Sequence, residues 1–258
     1  MMNPYVGLYD EIPSVAEYLE RLKLPVAPSS DIEGLNCLIR AHISAIPFEN
    51  LEIFYGEQTP SLATVDLFEK MVRQKRGGYC FELNGLFQKL LVALGFQAYC
   101  VGVRILDGKD YLPPVSHRGV IVEFADGLYY ADVGFGGPGP VSAIRMANVW
   151  QQSGSREYRC ETVNNVSTIW KRDNTGDSVL FRFGINPWDE VDFLGPNYVT
   201  SVPEDCYFRT ELVISRVTPS GYVSLENKVL HIKENGILRE QIIQDKKEME
   251  QVIRYCLG

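Results

Sequence analysis

The chain is 258 residues long, 45% hydrophobic and 22% charged, with a formal net charge of −8 and a pI near 5.0. That content can bury a full core in two or three domains, and the acidic balance argues against nucleic-acid or anionic-membrane partners, which need a basic patch. No run approaches the ~18 apolar residues of a membrane span, and Met1-Met2-Asn3-Pro4 has neither the basic start nor the apolar centre of a leader, so a cytoplasmic protein is expected.

Up to about residue 95 the hydrophobic period is helical. Ser14 with Glu17 forms a capping box before Val15, Tyr18, Leu19 and Leu22, and Ser30 with Glu33 repeats it before Leu35, Leu38, Ile39, Ile43 and Ile46. His42 lies on the apolar stripe of the second helix, which marks it as a core histidine. Pro47 ends that helix and opens Pro47-Phe48-Glu49-Asn50-Leu51. A third helical pattern, Leu67, Phe68, Met71 and Val72, runs into Arg76-Gly77-Gly78-Tyr79-Cys80-Phe81-Glu82-Leu83-Asn84. The stripe Leu83, Leu86, Phe87, Leu90, Leu91, Leu94 then predicts a fourth helix, closed by Gly95.

Beyond it the period drops to two. Gln97 to Leu106, His117 to Phe124, Leu128 to Val133, Glu157 to Val163, Thr168 to Lys171 and Val179 to Phe183 read as short strands. Turn chemistry separates them, at Asp107-Gly108, Asp126-Gly127 and Asp173 to Asp177, which predicts an antiparallel sheet or small barrel. Pro187 to Asp205 reads as irregular. Two strands, Phe208 to Val217 and Tyr222 to Ile232, follow, and Asp245 with Glu248 caps a last helix carrying Met249, Val252, Ile253 and Leu257. There is no repeat and no clean linker; the changes of period suggest parts spanning 1–95, 96–195 and 196–258.

The six cysteines (Cys37, Cys80, Cys100, Cys160, Cys206, Cys256) are scattered without a CxxC pair, and only three histidines accompany them, so reduced thiols and no metal are expected. Cys80 stands apart. It follows Gly77-Gly78 at a helix start, where free N–H groups and the helix dipole favour a thiolate. Such a nucleophile needs a base, and the base needs an orienting partner. His117 opens a strand and Asp132 closes the next. A two-residue Asp126-Gly127 turn sets Asp132 opposite Ile121, roughly 13 Å along the strand from His117 and out of reach. A four-residue loop, Phe124 to Gly127, sets it opposite Gly119 and diagonal to His117 on the same face. A three-residue loop puts the two on opposite faces. Asp132 also suits a turn cap at Gly134, and Gly134-Phe135-Gly136-Gly137-Pro138-Gly139-Pro140 is a run in which backbone can approach a ligand.

The Cys80 block, Pro47-Phe48-Glu49-Asn50-Leu51, Ser116-His117-Arg118 and Ala131-Asp132-Val133-Gly134-Phe135-Gly136-Gly137 resemble, in order and spacing, the arylamine N-acetyltransferases. The resemblance implies an α+β fold of N-terminal helical bundle, central antiparallel β-barrel and C-terminal α/β lid around a cysteine-protease-like core. It also implies a Cys80, His117, Asp132 triad carrying acetyl from acetyl-CoA to an arylamine, arylhydroxylamine or hydrazine by a ping-pong route. Phe48 and Phe135 would then line the acceptor pocket, Gly134, Gly136 and Gly137 would lie along the thioester, and Arg76 with Glu49 would form a buried structural ion pair. The expected partners are small-molecule amines and acyl-CoA. The chain departs from the family pattern at Arg118-Gly119, where aliphatic residues are usual, and after Pro140. A macrolactam-forming amide synthase, or a cysteine peptidase or transglutaminase-like enzyme, would use the same three residues.

Of the six thiols only Cys80 combines a helix start with a histidine partner. Iodoacetamide near neutral pH should label it first and abolish activity; faster labelling of another cysteine with turnover intact would overturn the assignment.

Overall fold

The computed structural model describes residues 5–56, 58–137 and 139–258; Met1 to Pro4, read above for a leader, and Pro138 of the glycine-rich run lie outside the described residues. The helical part begins with α1 (Val15–Arg21). Ser14 Oγ accepts from Glu17 N at 3.2 Å as the capping box requires, whereas the Glu17 carboxylate turns outward to Arg73. The helix α2 (Ile32–Ala45) starts one residue later than expected. Its cap is Asp31 rather than Ser30, because the Asp31 carboxylate takes the Gly34 N–H at 2.8 Å and is itself held by Ser29 Oγ at 2.6 Å. His42 is buried, bonded to Tyr18 OH at 3.0 Å, and burial pushes its pKa down to about 3, so it is a neutral core residue.

Two short elements follow that sequence periodicity does not show: β1 (Phe48–Glu49) and α3 (Leu51–Gly56). Then come α4 (Thr64–Phe68), which widens into a π-helical turn over Glu69–Arg73, and α5 (Cys80–Ala93), which ends before Gly95 at φ +88°. The apolar faces of α1, α2, α4 and α5 share one buried cluster around Leu35, Leu38, Phe68, Leu86 and Leu90.

Eight antiparallel strands make the second layer: β2 (Gln97–Ile105), β3 (His117–Phe124), β4 (Gly127–Ala131), β5 (Ile144–Arg145), β6 (Gln151–Ser153), β7 (Arg156–Val163), β8 (Val166–Asp173) and β9 (Gly176–Gly184). Their order is β5-β4-β3-β2-β9-β8-β7-β6, and the sheet nearly closes, since Cys160 N donates to Ala147 O at 3.2 Å across the gap. Val103, Ile121, Tyr158, Ile169 and Phe181 fill it.

The stretch from Pro187 to Asp205, expected to be irregular, holds a 3-10 turn (Glu190–Phe193) and α6 (Leu194–Ser201). The expected strand from Phe208 begins instead as α7 (Tyr207–Thr210), because Asn50 Nδ2 claims the carbonyls of Phe208 and Glu211 at 2.9 and 2.7 Å. The last part contains β10 (Val213–Thr218), β11 (Gly221–Glu226), β12 (Val229–Glu234), β13 (Ile237–Ile242) and α8 (Lys246–Leu257), capped by Asp245 as expected. The run Tyr222 to Ile232 is two strands rather than one, broken at Asn227, whose φ of +53° turns the chain. The sheet order is β1-β10-β11-β12-β13, so a strand from the helical part forms one edge of the C-terminal sheet.

Glu49 and Arg76 are paired, with Arg76 Nη2 2.7 Å from Glu49 Oε1; the carboxylate is fully buried while Arg76 keeps 31% exposure. Glu49 Oε2 also accepts from Leu51 N at 2.8 Å, which starts α3. Arg76→Ala leaves a buried carboxylate without its main counter-charge. The expected loss is about 2–4 kcal/mol, reduced from a fully buried pair by solvent at the arginine, and calorimetry should show a clearly lower unfolding midpoint. A midpoint within a degree of the parent would show the pair to be energetically idle.

Candidate active site

Tyr79 caps α5, its N–H donating to Glu82 Oε2 at 3.0 Å, so Cys80 occupies the first helical position. Cys80 is 3% exposed, and its Sγ lies 3.7 Å from Ser116 O, beside the start of β3. Glu82 is buried against Lys70 Nζ at 2.8 Å, and Lys70 also holds Glu52 at the same distance. Burial pushes Glu82 up to about 7 in spite of Lys70.

Pairing across β3 and β4 sets Val120 against Ala131 and Phe124 against Gly127. This is the register of the four-residue-loop alternative, continued to Asp132 opposite Gly119; the unpaired turn itself is only Ala125-Asp126. His117 Nε2 and Asp132 Oδ2 are 2.6 Å apart. The same oxygen accepts from Tyr130 OH at 2.8 Å, and Oδ1 accepts from Asn84 Nδ2 and Gly134 N, both at 2.9 Å. The turn-cap role of Asp132 is thus present as well. Burial would raise the Asp132 pKa, but His117, Asn84 and Gly134 hold it below the ordinary carboxylate value. Burial opposes a charged His117, yet the Asp132 charge and bond, with a further contribution from Cys80, carry its pKa up to about 10. The His117 ring stacks on Phe181, centroids 5.5 Å apart and planes 8° from parallel, and its buried Nδ1 makes no hydrogen bond within the protein.

The other expected site residues gather here too. A Cβ on Gly134 would fall 3.0 Å from Cys80 Cα, and Gly136, at φ +77°, lies under the Phe48 ring, 2.8 Å from where its Cβ would be. Gly137 follows along the same loop. Ser215 Oγ, on β10, anchors the loop by donating to Gly136 O at 2.6 Å. Phe135 meets His117 and Phe181 edge-on at 6.1 and 5.0 Å, and Phe48 packs against Phe208 at 5.9 Å. Among the described residues no group of three or more His, Cys, Asp and Glu is arranged to hold a metal, and no helix is long and apolar enough to cross a membrane.

A sequence model described as N-acetyltransferase matches residues 31–258. An arylamine N-acetyltransferase of Mycolicibacterium smegmatis is 34% identical over 226 residues, covering 85% of this chain and 82% of that protein. The chain belongs to the arylamine N-acetyltransferase family. It is an acyltransferase, and acetyl transfer is its activity. A Salmonella typhimurium relative, named as arylamine N-acetyltransferase and N-hydroxyarylamine O-acetyltransferase, is 33% identical over 93% of this chain and 87% of its own length. The solved structure of the arylamine N-acetyltransferase from Salmonella typhimurium superposes with a TM-score of 0.90 at 28% identity, covering 96% of this chain and 92% of that one. The α+β fold expected from the sequence is therefore the family fold.

Asn84 stands in the Cys80 block with no role evident from the sequence, and Tyr130, Phe181 and Ser215 are not marked out there either. Asn84 was within reach, four residues after Cys80 and so on the same helix face. Tyr130, two residues before Asp132, shares its face of the ribbon. Phe181 and Ser215 arrive from distant strands and leave no local signal.

Because the His117 pKa is raised from 6.5, the proton it holds when folded contributes stability that is complete below pH 6.5 and lost as pH rises toward about 10. Asp132→Asn removes the responsible charge. Compared in a Cys80→Ser background, the gap in unfolding midpoint between parent and Asp132→Asn should narrow from pH 6.5 to 10; a constant gap would mean that His117 is neutral in the folded protein.

Proposed function

We propose that Cys80, His117 and Asp132 form the catalytic triad and move an acetyl group from acetyl-CoA to the nitrogen of an arylamine, arylhydroxylamine or hydrazine through a Cys80 thioester. The observation that carries this reading is the 2.6 Å bond from His117 Nε2 to Asp132, which leaves Nδ1 as the ring nitrogen for Cys80, itself close enough to help raise the His117 pKa. His117 already carries the proton, held there by Asp132, so Cys80 acts as the thiolate of a thiolate–imidazolium pair and adds to the acetyl carbonyl carbon. The bond from that carbon to the CoA sulfur then breaks, and CoA leaves with the proton from His117. The amine attacks the Cys80 thioester in turn, gives its proton to His117, and the Cys80 thiolate departs. Asp132 stabilises the imidazolium and fixes which ring nitrogen faces the thiol.

Phe48 and Phe135 are the apolar walls against which an aromatic acceptor would lie. Gly134, Gly136 and Gly137 offer backbone to the thioester's pantetheine or pyrophosphate. Arg76 and Glu49 act at a distance by holding the chain that leads into β1 and α5. No step requires a metal. The parts 1–95, 96–195 and 196–258 divide the labour: the first brings the nucleophile, the second the histidine and aspartate, the third covers the cleft. A thiolate nucleophile suits a reducing compartment, which fits a cytoplasmic location.

Kinetic order tests the reading. Acetyl-CoA without amine should add one acetyl per chain by intact-mass spectrometry, mapped to Cys80, and two-substrate kinetics should give parallel double-reciprocal lines. Acylation only from a carrier protein would replace it with an amide synthase, and peptide cleavage with no acetyl adduct would replace it with a peptidase.

A further inference from the structure

Arg118 is a fully buried guanidinium, one residue after His117 on β3. Alternation along the strand directs it away from His117 and against α5. The guanidinium lies close against α5 at Gly85, where a Cβ would be 2.9 Å from Arg118 Nη1. Arg118 Nη2 donates to Glu190 Oε1 at 2.6 Å, and its Cζ sits 4.2 Å from the centre of the Phe193 ring. Both partners belong to the turn between the barrel and α6. That turn is fastened again by Trp188, whose N–H donates to Cys100 O at 2.9 Å and whose indole covers Gly102, 2.4 Å from where a Cβ would be. Gly102 is the residue paired with Arg118 across β2 and β3. Phe193 also packs on Phe81, the residue after Cys80, with centroids 6.2 Å apart. The Arg118 carbonyl completes the ring of contacts by accepting from Asn84 Nδ2 at 2.6 Å, the amide that also holds Asp132.

The guanidinium is an expensive way to fill this space. Its Nε and Nη1 are buried without an oxygen acceptor, and the guanidinium's partner on that side is the soft sulfur of Cys100, whose thiol is pushed up to about 11 by burial, so it stays neutral and Glu190 is the counter-charge. Glu190 is shared with Lys89 Nζ at 3.9 Å. An apolar side chain of similar length would cover Phe193 and Gly85 without stranding donors. What it would lack is a rigid planar fork that stacks on one partner while bonding another, and so fixes one arrangement of three elements.

We propose that Arg118 is a positioning residue for the transfer reaction: clamped between Gly85, Glu190 and Phe193, it sets the depth of α5 against the start of β3 and hence the approach of Cys80 to His117. The inference rests on the triad reading above. Arg118→Met keeps the apolar stem and removes the fork, and Glu190→Gln removes only the counter-charge. For each purified protein the measurements are the pH profile of Cys80 alkylation by iodoacetamide, the single-turnover rate of Cys80 acetylation by acetyl-CoA, the KM for the amine and the unfolding midpoint. Arg118→Met should acetylate roughly 10- to 100-fold more slowly, because a misplacement of order 1 Å at a reacting pair has that effect. Its alkylation profile should be displaced and its KM for the amine unchanged, with a smaller change in the same direction for Glu190→Gln. A folded Arg118→Met protein with a lower unfolding midpoint but the parent's alkylation profile and acetylation rate would overturn the proposal and leave Arg118 purely structural. If Arg118→Met does not fold, Glu190→Gln decides by the same criterion. Failure of the parent to take acetyl on Cys80 would instead sink the triad reading, and the alkylation profiles would still judge Arg118.

Discussion

One buried carboxylate governs the geometry of this protein. Asp132 has no solvent to stabilise its charge, and an ion in that position is tolerable only when protein donors replace the lost water. Four of them do: the His117 ring, Tyr130 OH, the Asn84 amide and the Gly134 N–H. They come from β3, β4, α5 and the glycine-rich loop, so satisfying one charge obliges four segments to meet at fixed distances. The helix that presents Cys80 is among them. Its spacing from the strand that presents His117 follows from what Asp132 requires, and Asn84, which also donates to Arg118 O and accepts from Val133 N, is the side chain through which the requirement is transmitted.

A second charged group sits under the start of the same helix and solves a different difficulty. A carboxylate at the third helical position competes with Cys80 for the positive end of the dipole. Glu82 is such a carboxylate, and it is needed there because the Tyr79 N–H has to be capped in the interior. Lys70 offsets its charge at 2.8 Å while binding Glu52, and Arg76 does the same for Glu49. The cap is therefore obtained without leaving a free negative charge beside Cys80. The widened π-helical turn that carries Lys70 is the local distortion accompanying this arrangement.

The features legible in the sequence were those whose cause is local. Asp245 could be read as a cap because a cap acts over three residues. Four helix stripes and the strand His117–Phe124 were visible because side-chain periodicity reports burial directly. The contact between His117 and Asp132 lay within reach because parity and turn length leave few registers for one hairpin. What failed had distant causes. Phe208 looks like the start of a strand until Asn50 takes its carbonyl. Every residue of β13 is exposed, so no alternation of burial marks it as a strand. Asp31 displaced Ser30 as a cap because two capping side chains stood next to each other and the charged one won. Arg118 stands out from the family pattern, yet nothing near it in sequence announces Glu190 or Phe193.

The placement of β1 bears on how the loop after Asp132 is held. Phe48 and Glu49 lie between Gly78, two residues before Cys80, and β10 of the C-terminal sheet, with Glu49 N donating to Gly78 O at 2.9 Å and Phe48 paired to Ser215. Ser215 then reaches across to Gly136 O, and Gly136 is held beneath the Phe48 ring. A closed circuit results: the helical part supplies the ring, the C-terminal sheet supplies the hydroxyl, and the loop after Asp132 is gripped by both. Because a Cβ at position 136 would collide with Phe48, that grip depends on a residue with no side chain in a left-handed conformation. The hold on this loop therefore cannot be assigned to any one part of the chain, and a change in β10 is transmitted to it through two hydrogen-bonded links and one aromatic contact rather than through Cys80, His117 or Asp132.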